Sequence, residues 1–198
     1  MNRTICVYSS SSETIAPLYF AAAAELGREI ARRGDKLLFG GGMRGLMGAT
    51  AKAVHELRGQ VIGVIPQALN IKNVVYEYCE ELIVTKDMRT RKATMDRRSD
   101  AFIALPGGYG TLEELLEIIT LKQLNYHQKP VVILNINDFY RQLFAQFENF
   151  FTQNFAKAGC RELYYITPSV TDALAYIDQY QPVTIRPKWL TDGETDQP

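Results

Sequence analysis

Apolar runs of four or five residues alternate along this chain with longer stretches of helical period. The runs fall at Thr4–Tyr8, Lys36–Phe39, Val61–Ile65, Leu82–Thr85, Ala101–Leu105, Val131–Asn135 and Leu163–Ile166, and they predict strands buried on both faces. Between them the spacing predicts helices over Ala16–Arg33, from the glycines after Phe39 to Arg58, over Lys86–Arg98, from Leu112 to Tyr126, over Phe139–Ala158 up to Gly159, and over Ser169–Tyr180. Gln67 to Tyr78 shows no period. Strand and helix in alternation predict an α/β fold, a mainly parallel, doubly wound sheet flanked by helices. Residues 1–181 read as a single Rossmann-like domain and 182–198 as a C-terminal tail, poorly ordered beyond Trp189.

Ligands of such sheets bind beyond the carboxyl ends of the strands. Four segments lie there. The first is Ser9 to Ser12, either hydroxyl donors to a phosphate or a polar loop. The second is Gly40-Gly41-Gly42-Met43-Arg44-Gly45, which satisfies G-x-G-x-x-G. The acid that a dinucleotide site places about 20 residues further on is missing, since Gln60 to Pro66 reads Gln-Val-Ile-Gly-Val-Ile-Pro. NAD binding is therefore discounted, and close approach of phosphate or backbone remains. The third is the basic segment after Thr85, where Met88, Arg91, Lys92 and Met95 fall at helical spacing and predict one stripe of two cations and two soft apolar side chains.

The fourth is Leu105-Pro106-Gly107-Gly108-Tyr109-Gly110-Thr111-Leu112-Glu113-Glu114, a strand end, a glycine turn and a helix start. Free N–H groups of a first helical turn attract an anion, which predicts a phosphate cradle. Glu113, Glu114 and Glu117 would repel that phosphate, so at least one carboxylate is expected to face another part of the ligand, such as a sugar. A sugar phosphate satisfies both chemistries. The competing reading is structural: Thr111 and Glu114 have the spacing of a capping box.

The 198 residues carry 22 basic and 22 acidic side chains, and this balance gives no sign of a nucleic-acid or membrane surface. The amino terminus enters a strand directly and no apolar run approaches membrane-spanning length, so a cytoplasmic protein is expected. Cys6, Cys79 and Cys160 lack disulfide or zinc spacing. Cys6 is expected in the core, and His55 and His127 as surface or core residues. The aromatic positions from Phe139 to Phe155 are expected in the core or at a subunit interface.

The segments Gly41-Gly42-x-x-Gly45-Leu46-Met47-Gly48, Met88-x-x-Arg91-Lys92 and Pro106-Gly107-Gly108-Tyr109-Gly110-Thr111-Leu112-Glu113-Glu114 resemble, in this order, the LONELY GUY family of cytokinin riboside 5′-monophosphate phosphoribohydrolases. The resemblance covers roughly Thr4 to Tyr180. It implies a Rossmann-like homodimer that cleaves the N-glycosidic bond of an adenosine-type nucleoside 5′-monophosphate, with no metal or redox cofactor. By motif position it implies Arg91 and Glu114 as the catalytic pair. Nucleotide contacts are implied at Lys92, at Gly108 to Glu114 (Gly108, Tyr109, Gly110, Thr111, Leu112, Glu113) and at Thr120. Ser9, Gly41, Gly42, Met88 and Gly107 complete the candidate substrate-binding set. The family's Met-His-Glu-Arg-Lys reads Met88-Arg89-Thr90-Arg91-Lys92 here, and Asn73 stands where some relatives carry an acid. These departures bear on base preference more than on reaction type. The older lysine decarboxylase label of many relatives is rejected, because no pyridoxal-bearing lysine site is apparent.

Overall fold

The computed structural model describes residues 2–183. Its strands are β1 (Thr4–Tyr8), β2 (Lys36–Phe39), β3 (Gln60–Pro66), β4 (Glu81–Thr85), β5 (Ala101–Ala104), β6 (Val131–Leu134) and β7 (Tyr165–Thr167). Its α-helices are α1 (Pro17–Arg32), α2 (Gly45–Glu56), α3 (Met88–Arg98), α4 (Tyr109–Gln123), α5 (Arg141–Thr152) and α6 (Val170–Gln179). All seven strands join one sheet in the order β4-β3-β2-β1-β5-β6-β7, and every pairing is parallel. The sheet therefore grows outward from β1 in both directions. The crevice between the carboxyl ends of β1 and β5 is its topological switch point, the place where such sheets receive ligands.

Alternation along the strands divides the core into two layers. Ile5, Val7, Leu37, Phe39, Val61, Ile103 and Leu134 face the layer that α1, α2 and α6 cover. Cys6, Tyr8, Leu38, Ile62, Val64, Phe102 and Ile133 face the layer of α3, α4 and α5. Both faces are covered, which explains the near-continuous apolar strands. Cys6 is fully buried as expected, and burial pushes its thiol up to about 12. His127 is buried too, with Nε2 3.0 Å from the Ile118 carbonyl and Nδ1 accepting from the Lys129 N–H, so the neutral ring is satisfied. His55 lies between the Tyr76 hydroxyl and Glu80.

Three expectations change. The basic helix starts at Met88 after an Asp87 cap, and its four-residue stripe splits: Met95 is fully buried in the core, whereas Met88 is 47 % exposed. The aromatic segment is not one helix. A 3-10 turn at Ile136–Asp138 precedes α5, which ends at Thr152 because Asn154 takes a left-handed φ of 60° and returns the Ala156 N–H to the Phe150 carbonyl. Gly159 falls inside a later 3-10 segment, Ala158–Leu163. Of the aromatics there, Tyr140 and Phe147 are buried, while Phe139, Phe150 and Phe155 are exposed. The expected tail lies outside the described residues from 184 onward.

Because Met95 fills the core and Met88 does not, Met95→Ala is expected to lower unfolding free energy by about 3 kcal/mol. Met88→Ala is expected to change it by less than about 0.5 kcal/mol. Urea unfolding midpoints of the two variants check this difference.

Candidate functional site

A buried ion pair lies beside the switch point, over the ends of β1 to β3. Arg91 projects from the first turn of α3 across the carboxyl ends of β3 and β2, and its side chain is only 8 % exposed. Nε donates to the Val64 carbonyl at 2.9 Å and Nη1 donates to Glu114 Oε1 at 2.5 Å. Nη2 lies against Gly40, where an added Cβ would stand 2.1 Å away. Strand ends, glycine and carboxylate together leave the guanidinium one position. Arginine suits it, because its planar fork places several donors at once.

Glu114 is held by α4, with its side chain 12 % exposed. Burial raises its pKa and Arg91 opposes the rise, but the net shift is upward from the ordinary carboxylate value. Cys6 and Tyr8 lie close enough for Glu114 to raise them electrostatically. A carboxylate with a mostly apolar floor and one cation beside it is a poorly hydrated anion, suited to meeting positive charge.

The second carboxylate pair is more open. Lys92 contacts Glu113 and also Glu117, the latter at 3.0 Å. Burial pulls the Lys92 ammonium down, but the two carboxylates outweigh it and hold the group above the ordinary lysine value. Arg91–Glu114 and Lys92–Glu113–Glu117 form two adjacent bridges between α3 and α4.

The capping-box reading fails on geometry. Gly108 is the N-cap of α4 and makes no side-chain cap bond. Thr111 is already the third helical residue, and the Glu114 carboxylate turns to Arg91 rather than back to the helix start. The first-turn N–H groups of α4 therefore receive no side-chain cap, and Cβ atoms placed on Gly108 or Gly110 would meet nothing within 4 Å. This helix end opens into free space, as an anion site requires.

The other glycine turn is built differently. The N–H groups of Leu46 and Met47 at the start of α2 both donate to the Ser10 carbonyl. Gly45, at φ 60°, sits so close to Ser10 and Ser11 that a side chain would collide with their backbone. Gly41 accepts from the Tyr76 N–H, and Gly42 bridges Val75. Backbone approach is thus realised in this G-x-G-x-x-G segment, and it docks residues 74–76 beside the carboxyl end of β2. Ser9 is buried at the end of β1 with Oγ lacking a partner among the described residues.

The remaining candidates divide. Thr111 is buried and its side chain occupies the space beside Gly107. Tyr109 is 95 % exposed at the open end of α4, and Met88 is exposed at the start of α3. Leu112 packs against the core. Thr120 bonds back to the Leu116 carbonyl and stands about 9 Å beyond Glu114 along the helix axis, outside the cluster. Sequence reasoning missed the Val64 carbonyl, which as backbone leaves no residue-type signal, and the contact of Gly40 with Arg91, for which the first glycine of the G-x-G-x-x-G pattern was the available signal.

Gly40→Ala is expected to force the guanidinium back by about 1 Å or more to reach ordinary contact. That movement stretches the Arg91–Glu114 bond while the fold persists. A crystal structure of the variant checks it; an unmoved guanidinium would show that the glycine does not set its position.

The family model described as "Possible lysine decarboxylase" matches residues 47–177. A cytokinin riboside 5′-monophosphate phosphoribohydrolase of Arabidopsis thaliana is 39 % identical over 200 residues, covering 99 % of this chain and 88 % of that protein. A probable cytokinin riboside 5′-monophosphate phosphoribohydrolase of Oryza sativa subsp. japonica is 43 % identical over 189 residues, covering 93 % of this chain and 85 % of its own. Among solved structures, the molybdenum cofactor binding protein of Rippkaea orientalis superposes with a TM-score of 0.69 at 26 % identity, over 90 % of this chain and 96 % of that one. The molybdenum cofactor carrier protein of Chlamydomonas reinhardtii gives 0.67 at 26 % identity, over 90 % and 97 %. On the strength of the sequence relatives, this chain belongs to the LONELY GUY family of phosphoribohydrolases.

Proposed function

We propose that the chain hydrolyses the N-glycosidic bond of an adenine nucleoside 5′-monophosphate, N6-substituted as in the cytokinin ribosides or unmodified as in AMP. The products are the free base and ribose 5-phosphate. The observation that carries this reading is the buried Arg91–Glu114 pair standing beside the uncapped start of α4. Phosphate takes the first-turn amides of Gly108 to Thr111. Glu114 lies three to six residues beyond those amides, about 5–9 Å along the helix axis, a span comparable with ribose 5-phosphate. The anomeric carbon then faces a carboxylate.

Cleavage develops positive charge on the ribose as the C1′–N9 bond breaks and its electron pair passes to the base. Glu114 stabilises that charge and takes a proton from the water that completes C1′, and the departing base takes up one proton from solvent, so that base and ribose 5-phosphate leave with Glu114 returned to its ionised form. Arg91 fixes Glu114 and presents a permanent cation toward the leaving base or the phosphate. Lys92 and Glu113 line the entrance, with Met88 and Tyr109 as exposed apolar surface for the base. Ser9, whose hydroxyl has no partner among the described residues, is assigned to the ligand side of β1.

Decarboxylation of lysine is a poorer fit, since it needs an amine free to carry pyridoxal phosphate. Lys92 is held by two carboxylates. Lys122, lowered by burial to about 8, is 2 % exposed beneath the Tyr180 ring, more than about 15 Å along α4 from its open end. A carrier function like that of the molybdenum cofactor proteins leaves the Arg91–Glu114 pair without a task.

We also assign the protein to the cytoplasm; no helix among the described residues is long and apolar enough to cross a membrane. We assign a homodimer as its working form, with exposed Phe139, Phe150 and Phe155 as apolar surface for self-association. Sedimentation velocity at twice the monomer mass is the expected result.

Glu114→Gln preserves shape but removes the anion. It is expected to reduce release of base and ribose 5-phosphate at least ~100-fold, with an unchanged or higher melting temperature. Retained release would remove Glu114 from the chemistry, and no release by the wild type from either AMP or prenylated AMP would favour a binding protein.

The acid limb of the wild-type rate is expected above the ordinary carboxylate value of about 4.3, because the native group holds its proton to higher pH. The stability consequence has the same origin. Between the unfolded and folded pKa values the native state binds more protons, so stability falls as pH rises through that window. The Glu114→Gln variant lacks this fall, and melting temperatures of both proteins across the window check the sign.

A further inference from the structure

We infer that Tyr140 is a positioning residue for the site, holding the turn between β5 and α4 in the direction that opens the first helical turn toward the ligand. The inference rests on the proposed phosphate role of that turn and extends it to a residue outside the family motifs.

Tyr140 lies in the second layer, 3 % exposed, and its ring packs against Phe139 and Phe144. Its hydroxyl donates to the Leu105 carbonyl at 2.8 Å and accepts from the Gly107 N–H. Neither backbone group has a strand partner among the described residues. The pairing of β5 with β6 ends at Ala104 opposite Ile133, so the Leu105 carbonyl points past the end of that ladder. On the other side the Leu105 N–H donates to the Tyr8 carbonyl at 2.9 Å. Leu105 is thus gripped from β1 by backbone and from the β6 side by one phenol.

A single oxygen that donates to residue 105 and accepts from residue 107 fixes how the chain bends at Pro106. Gly107 packs directly against Thr111, since an added Cβ would stand 2.1 Å from its Oγ1. The path of α4 away from this turn then sets both the amides of Gly108 to Thr111 and, farther on, the approach of Glu114 to Arg91.

The connection after β6 is built to deliver the phenol. Asn137 and Asp138 take left-handed φ values of 52° and 56°, a costly choice for consecutive non-glycine residues. Asn135 offsets it by accepting from the Tyr140 N–H at 2.8 Å while its amide donates to Asp138 at 3.0 Å. The Asn135 N–H is in turn fixed to the Thr167 carbonyl at the end of β7.

Tyr140→Phe keeps the ring and removes both bonds. The test compares wild type, Tyr140→Phe and Phe147→Leu, a packing control in the same aromatic cluster with no link to the turn. Amide hydrogen exchange of Gly107 to Thr111 and calorimetric binding of ribose 5-phosphate and of adenine are measured on each.

For Tyr140→Phe we expect Gly107 exchange at least tenfold faster and ribose 5-phosphate bound at least tenfold more weakly, with adenine binding unchanged. The control should lower the melting temperature and leave both readouts near wild type. Unchanged exchange at Gly107 overturns the inference, as does retained affinity for ribose 5-phosphate, or an equal loss in the control. If the wild type itself fails to bind ribose 5-phosphate, the phosphate reading falls and this role with it, while the exchange data still report whether the phenol holds the turn.

Discussion

A carboxylate buried at the edge of a sheet is tolerable only beside a fixed cation, and the Arg91–Glu114 bond at 2.5 Å supplies one. Much of the surrounding architecture keeps that pair in place. The Val64 carbonyl and the bare backbone of Gly40 hold the guanidinium, so the ends of β3 and β2 determine where the cation lies. The start of α4 determines where the anion lies. Helices from opposite sides of β5 in sequence, α3 before it and α4 after it, thus meet beside the switch point.

The chemistry follows from an asymmetry between the two glycine-rich turns. At α2 the first amides are consumed by the Ser10 carbonyl, and the helix start is closed. At α4 the turn is left without a side-chain cap and faces open space. A phosphate has one prepared place and a sugar attached to it has one carboxylate within reach. The same arrangement explains why acids crowd a phosphate site without repelling the ligand. Glu114 is paired with Arg91, and Glu113 and Glu117 share Lys92, so α3 sets two cations against the three carboxylates.

Much of this was legible in the sequence. Strands buried on both faces announce themselves as unbroken apolar runs, and the strand, glycine turn and acid cluster of Leu105 to Glu117 mark the site directly. Other parts were hidden for physical reasons. Thr111 and Glu114 have the spacing of a cap, but spacing cannot tell which way Glu114 turns when a buried arginine competes for it. Met88 and Met95 share a helical stripe in sequence, yet the core takes one and the surface the other. The end of α5 was written as Asn154, whose tolerance of left-handed backbone replaced the glycine that the pattern favoured. The grip of Tyr140 on the turn has no sequence signal, because its partners are backbone groups 35 and 33 positions away along the chain.

The central claim is that the open end of α4 and the buried carboxylate of Glu114 hold two ends of one molecule. A crystal structure of the wild-type protein with ribose 5-phosphate tests it most directly. The account predicts the phosphate on the amides of Gly108 to Thr111, with the anomeric carbon turned toward Glu114. A phosphate seated instead on Gly41 and Gly42, or an anomeric carbon facing away from Glu114, would contradict it.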